Sequence, residues 1–230
     1  MKQTYRIAGL VVEMDTFGRT EQQAKPYMCE YTTPDMTISA DWRAYQQIHP
    51  HLSAEECEYI LTGATFYKRL IQNNGIMLHA SAVVVDGQAY LFSAPSGTGK
   101  STHTRLWLKK FGERAHLLND DKPALRQENG TWYAYGTPWS GKDDISVNER
   151  VPVAGICFIR QGLTNRIDRF CGSRAVFAFL DQTARPAETD YREKIMDVLD
   201  HILDSVPVWQ MECNMDLEAA EVSSKTMMSV

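Results

Sequence analysis

Apolar and polar positions follow short, turn-punctuated segments over roughly the first forty residues and a helical period after that, and each change of period marks an element. Tyr5 to Met14 reads as a strand, and Pro26 to Ala40 as one or two more. From Ser53 a helix is signposted. Ser53 and Glu56 form a capping box, and Leu61, Ala64, Phe66, Leu70 and Ile71 make an apolar stripe that Asn73-Asn74-Gly75 stops. Residues 1–74 are expected to form a small α+β appendage with no readable chemistry.

At Ile76 the pattern changes. Met77 to Val85 is nearly continuous apolar, Asp86-Gly87 is a tight-turn pair, and Ala89 to Ala94 is apolar again. Two such runs about a D-G turn predict an antiparallel hairpin with a buried second strand. That strand runs into Pro95-Ser96-Gly97-Thr98-Gly99-Lys100-Ser101, after which Thr102 to Phe111 reads as a helix with Leu106, Trp107 and Phe111 on one side. Strands are predicted at Ala115 to Leu118, ending in Asn119-Asp120-Asp121, and at Thr131 to Tyr135, Val153 to Arg160 and Pro207 to Glu212. Helices are predicted at Arg174 to Gln182, at Thr189 to Leu203 and from about Asp216. The strand–loop–helix–strand order predicts an α/β fold, with a mixed-sheet core over residues 75–230.

The 230 residues fit one elaborated domain, or a core with an appendage, at roughly 150 residues per domain. With 43% hydrophobic and 23% charged residues, wholesale disorder is excluded. A net charge of −5 and a pI near 5.7 argue against a nucleic-acid partner held by a broad basic surface, while leaving room for a local phosphate pocket. The five scattered cysteines, without a C-x-x-C pair, read as reduced cytosolic thiols. No apolar run approaches the ~20 residues that span a bilayer. Ile7 to Val12 is too short for a signal segment and runs into Glu13 and Asp15. No membrane partner is expected, and the expected location is cytoplasmic.

The chemistry concentrates in Ala94 to Ser101, which carries the G-x-x-x-x-G-K-[ST] phosphate-loop pattern with Ala94 in place of its first glycine. Backbone N–H groups must turn inward to cradle phosphate oxygens, which requires glycine freedom at Gly97 and Gly99. Lys100 sets a cation against the β- and γ-phosphates, Ser101 offers a hydroxyl to Mg²⁺, and the helix directs its positive end at the anion. An alanine fits the first position if the chain there is still extended. The expected nucleotide-binding residues are Ser96, Gly97, Thr98, Gly99, Lys100, Ser101 and Thr102. Asp120 and Asp121, at a strand end, project in different directions. One suits the metal, and the other an attacking hydroxyl as general base. His79 lies on the strand paired with the one feeding the loop, where an imidazolium would meet phosphate. His103, inside the helix after the loop, is the rival histidine. Trp132, Tyr133 and Tyr135 either stack on adenine or fill the core.

Met77-Leu78-His79-Ala80-Ser81-Ala82, the D-G hairpin, Ser96 to Ser101 and Asn119-Asp120-Asp121 together resemble the catalytic domain of HPr kinase/phosphorylase. More distantly they resemble the phosphate loop of ATP-dependent phosphoenolpyruvate carboxykinases. The resemblance is specific over about residues 76 to 125 and extends to about 215. It implies a phosphate loop on a mixed sheet, approached by an antiparallel strand, and phosphorylation of a serine hydroxyl with ATP and Mg²⁺. It further implies His79 as active-site histidine, Lys100 as phosphate lysine, Ser101 and Asp120 at the metal, and Asp121 as acceptor of the serine proton. Relatives are often oligomers, so a homo-oligomer is a further expectation. The family's acidic residue followed by Ile-Arg-Gly-Leu-Gly is absent, and Gly136-Thr137-Pro138-Trp139-Ser140-Gly141-Lys142-Asp143-Asp144 stands in roughly its place. There Lys142 would reach a phosphate and Asp143 or Asp144 a metal, unless the segment is an ordinary surface turn.

The reading is therefore a kinase whose acceptor is a small protein or peptide. Three rivals stand beside it: a kinase of a small metabolite, a nucleotide-binding regulatory module that transfers nothing, and an assembly partner in a maturation system. The residues do not distinguish ATP from GTP or pyrophosphate as donor.

Overall fold

Ala8 and Gly9, at φ 50° and 76°, turn the first apolar run back on itself. In the computed structural model, which describes residues 2–30, 33–185 and 187–229, the single strand expected there is a hairpin. β1 (Gln3–Ile7) pairs antiparallel with β2 (Leu10–Met14), and β3 (Met36–Ile38) joins β2 in parallel. Of the strands expected between Pro26 and Ala40, β3 is the one present among the described residues; residues 31 and 32 lie outside them. Two helices were not legible in the hydrophobic pattern, α1 (Gly18–Ala24) and α2 (Trp42–Ile48). α2 buries no residue and so carries no apolar stripe; its start is held by the Asp41 carboxylate, which accepts from the Ala44 N–H at 3.1 Å. α3 (Ala54–Gln72) begins at the expected capping box, with both reciprocal bonds formed between Ser53 and Glu56 (3.2 and 2.8 Å).

The remaining strands form one nine-stranded mixed sheet. They are β4 (Gly75–Met77), β5 (Ala80–Val85), β6 (Gln88–Ser93), β7 (Ala115–Asp121), β8 (Ala124–Glu128), β9 (Thr131–Tyr135), β10 (Arg150–Gln161), β11 (Arg166–Arg169) and β12 (Val208–Cys213). The order runs β4-β8-β9-β10-β6-β5-β7, with β12 beside the far end of β10 and β11 beside β12. The continuous apolar run at Met77 to Val85 is broken at Leu78-His79, because β4 pairs with β8 while β5 pairs with β6 and β7. His79 therefore sits just before β5 rather than within a strand. The D-G turn is formed as expected, with Asp86 and Gly87 at φ 51° and 75°.

Side chains alternate between the faces of this sheet, and both faces are covered. Ala80, Ala82 and Val84 of β5 face a cluster completed by α5 (Ser173–Asp181) and α6 (Thr189–Ser205), which contribute Phe179, Ile195 and Leu199. Val83 and Val85 face the opposite cluster, where α4 (Lys100–Phe111) supplies Trp107 and α7 (Leu217–Met227) supplies Ala219 and Met227. A third cluster joins Tyr5, Ile7 and Phe66 to Tyr135 and Trp139, so buried contacts run across residue 74. The decisive placement is central. β5 lies antiparallel between β6 and β7, so Ala80 stands opposite Ser93 on one side and Asp121 on the other. The carboxyl ends of β6 and β7 thus open on one edge, where α/β sheets place their ligands.

One buried acid gives the N-terminal section a pH dependence. Glu58 on α3 is 1% exposed and accepts a hydrogen bond from the Thr20 hydroxyl. Burial pushes its carboxyl up to about 7, against the Thr20 bond and with help from the charges of Asp15 and Glu55. A carboxyl raised in the fold binds a proton more tightly there than in the unfolded chain. Stability is therefore unaffected below the ordinary carboxyl range and declines as pH rises through about 7, by roughly 3 kcal/mol in all. Thermal melts should show wild-type stability falling between pH 5 and pH 8, and Glu58→Gln flattening that slope; parallel slopes would contradict the assignment.

Candidate active site

β6 is buried on both faces up to Ser93, and Ala94 (3% exposed) still packs among Phe92 and Trp107. Ala94 is not among the residues at positive φ, which is why alanine serves there. The chain then bends through Gly97 (φ 78°) and Gly99 (φ 113°) and enters α4 at Lys100. A Cβ on either glycine would meet nothing within 4 Å, so the requirement at both is left-handed backbone rather than room. The Thr98 N–H closes the bend onto Pro95 O at 3.3 Å. Lys100 folds back across the loop and donates from Nζ to Ala94 O (2.8 Å) and Pro95 O (3.4 Å). Burial lowers its pKa, opposed by the charges of Asp121 and Asp120.

Across β5, the end of β7 brings both acids to this loop. The Ser101 hydroxyl donates to Asp120 Oδ1 at 2.9 Å, and Asp120 is 8% exposed. Asp121 adopts φ 131°, a conformation that costs a non-glycine residue about 1–3 kcal/mol and that clusters at functional sites. Its Oδ2 accepts from Lys122 Nζ, and its Oδ1 lies 3.2 Å from His79 Nε2. Burial raises the Asp121 carboxyl, but the bonds from His79 and Lys122 outweigh it and bring the group down to about 2. His79 is itself held twice by Gln182, which accepts its backbone N–H at 2.7 Å and its Nδ1 at 3.0 Å through Oε1. With Nδ1–H given to Gln182, Nε2 faces the Asp121 carboxylate and the two must share a proton.

These groups line one cleft of about 710 Å³. His79, Lys100, Ser101, Asp120 and Asp121 are on its wall, with Ser96, Gly97, Gly99 and Thr102 along the loop side. Thr98 is in the loop but not on the wall. Lys142 and Asp143 also line the cleft, brought there by the segment that follows β9. Asp143 pairs with Arg105 at 2.8 Å, so its carboxylate is shared with a surface cation. Asp144, the alternative to Asp143 as a metal ligand, is not on the wall, and its Oδ1 accepts from Arg19 and Gln23. His103 is 2% exposed, lies against the Phe92 ring and sits 3.0 Å from Ser223 Oγ; burial pushes it down to about 4. It is a core histidine. Trp132 and Tyr135 are 4% exposed in β9, and neither they nor Tyr133 line the cleft.

The wall has members to which the sequence assigned no part in the chemistry. Lys122, Arg19, Leu52, Glu56, Tyr59 and Ile60 face the same space, five of them from the section expected to carry no chemistry. Gln182, which fixes His79, lies far along the chain from it. Lys122 alone was adjacent to a motif residue.

No protein-family model matches the chain, and no curated protein matches it. Among solved structures, 39 chains match. One is the HPr(Ser) kinase/phosphatase from Coxiella burnetii, which is 14% identical, with 66% of this chain and 97% of that chain covered at a TM-score of 0.39. That is a likeness of α/β folds, and at this score it decides nothing about the chemistry of the cleft.

The donor set at the loop fits Mg²⁺. The ion asks a protein for one or two hard-oxygen ligands and takes the rest from phosphates and water, and Ser101 Oγ with Asp120 Oδ1 form such a pair. Among the described residues no group of three or more His, Cys, Asp or Glu side chains makes an all-protein metal site. Likewise among the described residues, no helix is long and apolar enough to cross a membrane.

Proposed function

We propose that the protein transfers the γ-phosphoryl group of ATP to a hydroxyl, with a serine of a small protein or peptide as acceptor, in the cytoplasm. The observation that carries this reading is the convergence of three parts in one cleft. They are a glycine loop ending in Lys100, the Ser101–Asp120 oxygen pair, and an anionic Asp121 held in a strained conformation beside them.

Loop N–H groups and Lys100 hold the polyphosphate. Ser101 and Asp120 hold Mg²⁺, which supplies charge neutralisation when bound. The acceptor oxygen attacks the γ-phosphorus as the bond to the β-phosphate oxygen breaks and ADP leaves. Asp121, ionised at neutral pH, accepts the hydroxyl hydrogen bond, orients the nucleophile and takes its proton as the new P–O bond forms. A carboxyl held near 2 is a weak base in the ground state, so its work is orientation first and proton capture late, as a loose phosphoryl-transfer transition state requires.

Incubation with γ-labelled ATP and Mg²⁺, followed by mass spectrometry of serine-peptide pools, alanine-substituted controls and metabolite pools, tests the reading. Label should enter serine peptides and be absent from the alanine controls. Label in the metabolite pool alone would reassign the acceptor. No label in any acceptor would reduce the protein to a nucleotide-binding module.

A further inference from the structure

Arg19 is one of five residues that the N-terminal section sets on the cleft wall. Arg19, on α1, donates from Nη2 to the backbone oxygen of Gly141 and to Asp144 Oδ1, and its guanidinium lies 4.3 Å from the centre of the Tyr59 ring on α3. Gln23, one turn further along α1, donates to the same Asp144 oxygen and, at 3.4 Å, to Ser140 Oγ. The segment so gripped carries Gly141 at φ 76°, packed so closely that a Cβ there would stand 2.8 Å from Asp121 Cβ and 3.0 Å from Asp120 O. Gly141 thus packs directly against the two acids, and Arg19 holds Gly141.

We infer that Arg19 is a positioning residue, a clamp that presses the Gly141 segment onto Asp121 and keeps its carboxylate in line with the phosphate loop. The inference rests on the phosphotransferase reading and gives the N-terminal section a part in it. An arginine suits the task because a single side chain bonds two acceptors while stacking on an aromatic face. Asp121 at φ 131° persists only while its surroundings over-determine it. Releasing the clamp lets that strain relax and leaves nucleotide contacts at the loop untouched.

The test uses the whole chain with Mg-ATP, reading phosphoryl transfer to water as hydrolysis, nucleotide Kd by calorimetry, and hydrogen exchange at residues 140–144. Arg19→Met should lower the hydrolysis kcat about ten- to a hundredfold, as loss of alignment does, with Kd within about twofold of wild type, and should speed exchange at 140–144. Asp144→Asn should act in the same direction. The double variant should be no slower than Arg19→Met, and Arg19→Lys should recover part of kcat. Unchanged kcat or unchanged exchange in Arg19→Met overturns the clamp, as does a Kd that rises in step with the loss of kcat. If wild type hydrolyses nothing and labels no acceptor, the phosphotransferase reading fails, and exchange in Arg19→Met and Asp144→Asn alone decides whether the clamp exists.

Discussion

Lys100→Ala should bind Mg-ATP at least about a hundredfold more weakly than wild type and transfer no measurable phosphoryl group. Lys100 is 8% exposed, and its ammonium spans the loop to Ala94 O and Pro95 O, the position from which it can turn to a phosphate. Hydrogen bonds to a charged group contribute about 1.5–3 kcal/mol each. Two such bonds to phosphate oxygens, at about 1.4 kcal/mol per tenfold, amount to a hundredfold or more in Kd. The unliganded fold should survive, because burial already disfavours this cation; an unchanged melting temperature separates a binding defect from misfolding. Calorimetry showing wild-type affinity in the variant would remove the phosphate loop from the proposal.

Asp121→Asn should produce the opposite split. Transfer should fall by about 10²–10⁴, the span attributed to positioned proton acceptors, with nucleotide Kd within about threefold of wild type. Asparagine keeps the shape and tolerates positive φ better than most residues, so the backbone at 121 need not move. What is lost is the anion that holds the His79 proton and orients the acceptor. Because the Asp121 carboxyl titrates near 2, it stays ionised from pH 5 to 8, and any acid limb of the rate profile in that window must come from another group. The same depressed group stabilises the fold above the ordinary carboxyl range, a contribution lost as pH falls through about 2. Equal loss of nucleotide binding in the Lys100 and Asp121 variants would contradict the division of roles.

Both variants probe groups that local sequence announced, whereas several structural features gave no such notice. The capping box at Ser53 and Glu56, the Asp86-Gly87 turn and the glycine loop are each decided within a few residues, by bonds and φ angles that those residue types favour on their own. α2 escaped because its seven residues bury nothing. The β1–β2 turn escaped because Ala8-Gly9 sits inside an apolar run, with alanine at an uncommon positive φ. β8 escaped because Ala124 to Glu128 is too short and too polar at its end to show a period. β4 and β5 merged in the pattern because nothing in Met77 to Val85 reveals that its two ends pair with different strands.

Read alone, the chain determined an α/β fold, a glycine-bearing bend ahead of a helix, and a lysine, a serine and two acids as candidate chemistry, because backbone geometry and helix polarity at such a bend are properties of consecutive residues. Only the tertiary structure decided how those groups are used. Inserting β5 between β6 and β7 brings Asp120 to Ser101 and Asp121 to His79; Gln182 then orients the histidine, and Arg19 with Gly141 backs the acid. These contacts join positions far apart in the chain. Their energies come from burial and from charges facing one another across the sheet, which no local pattern encodes.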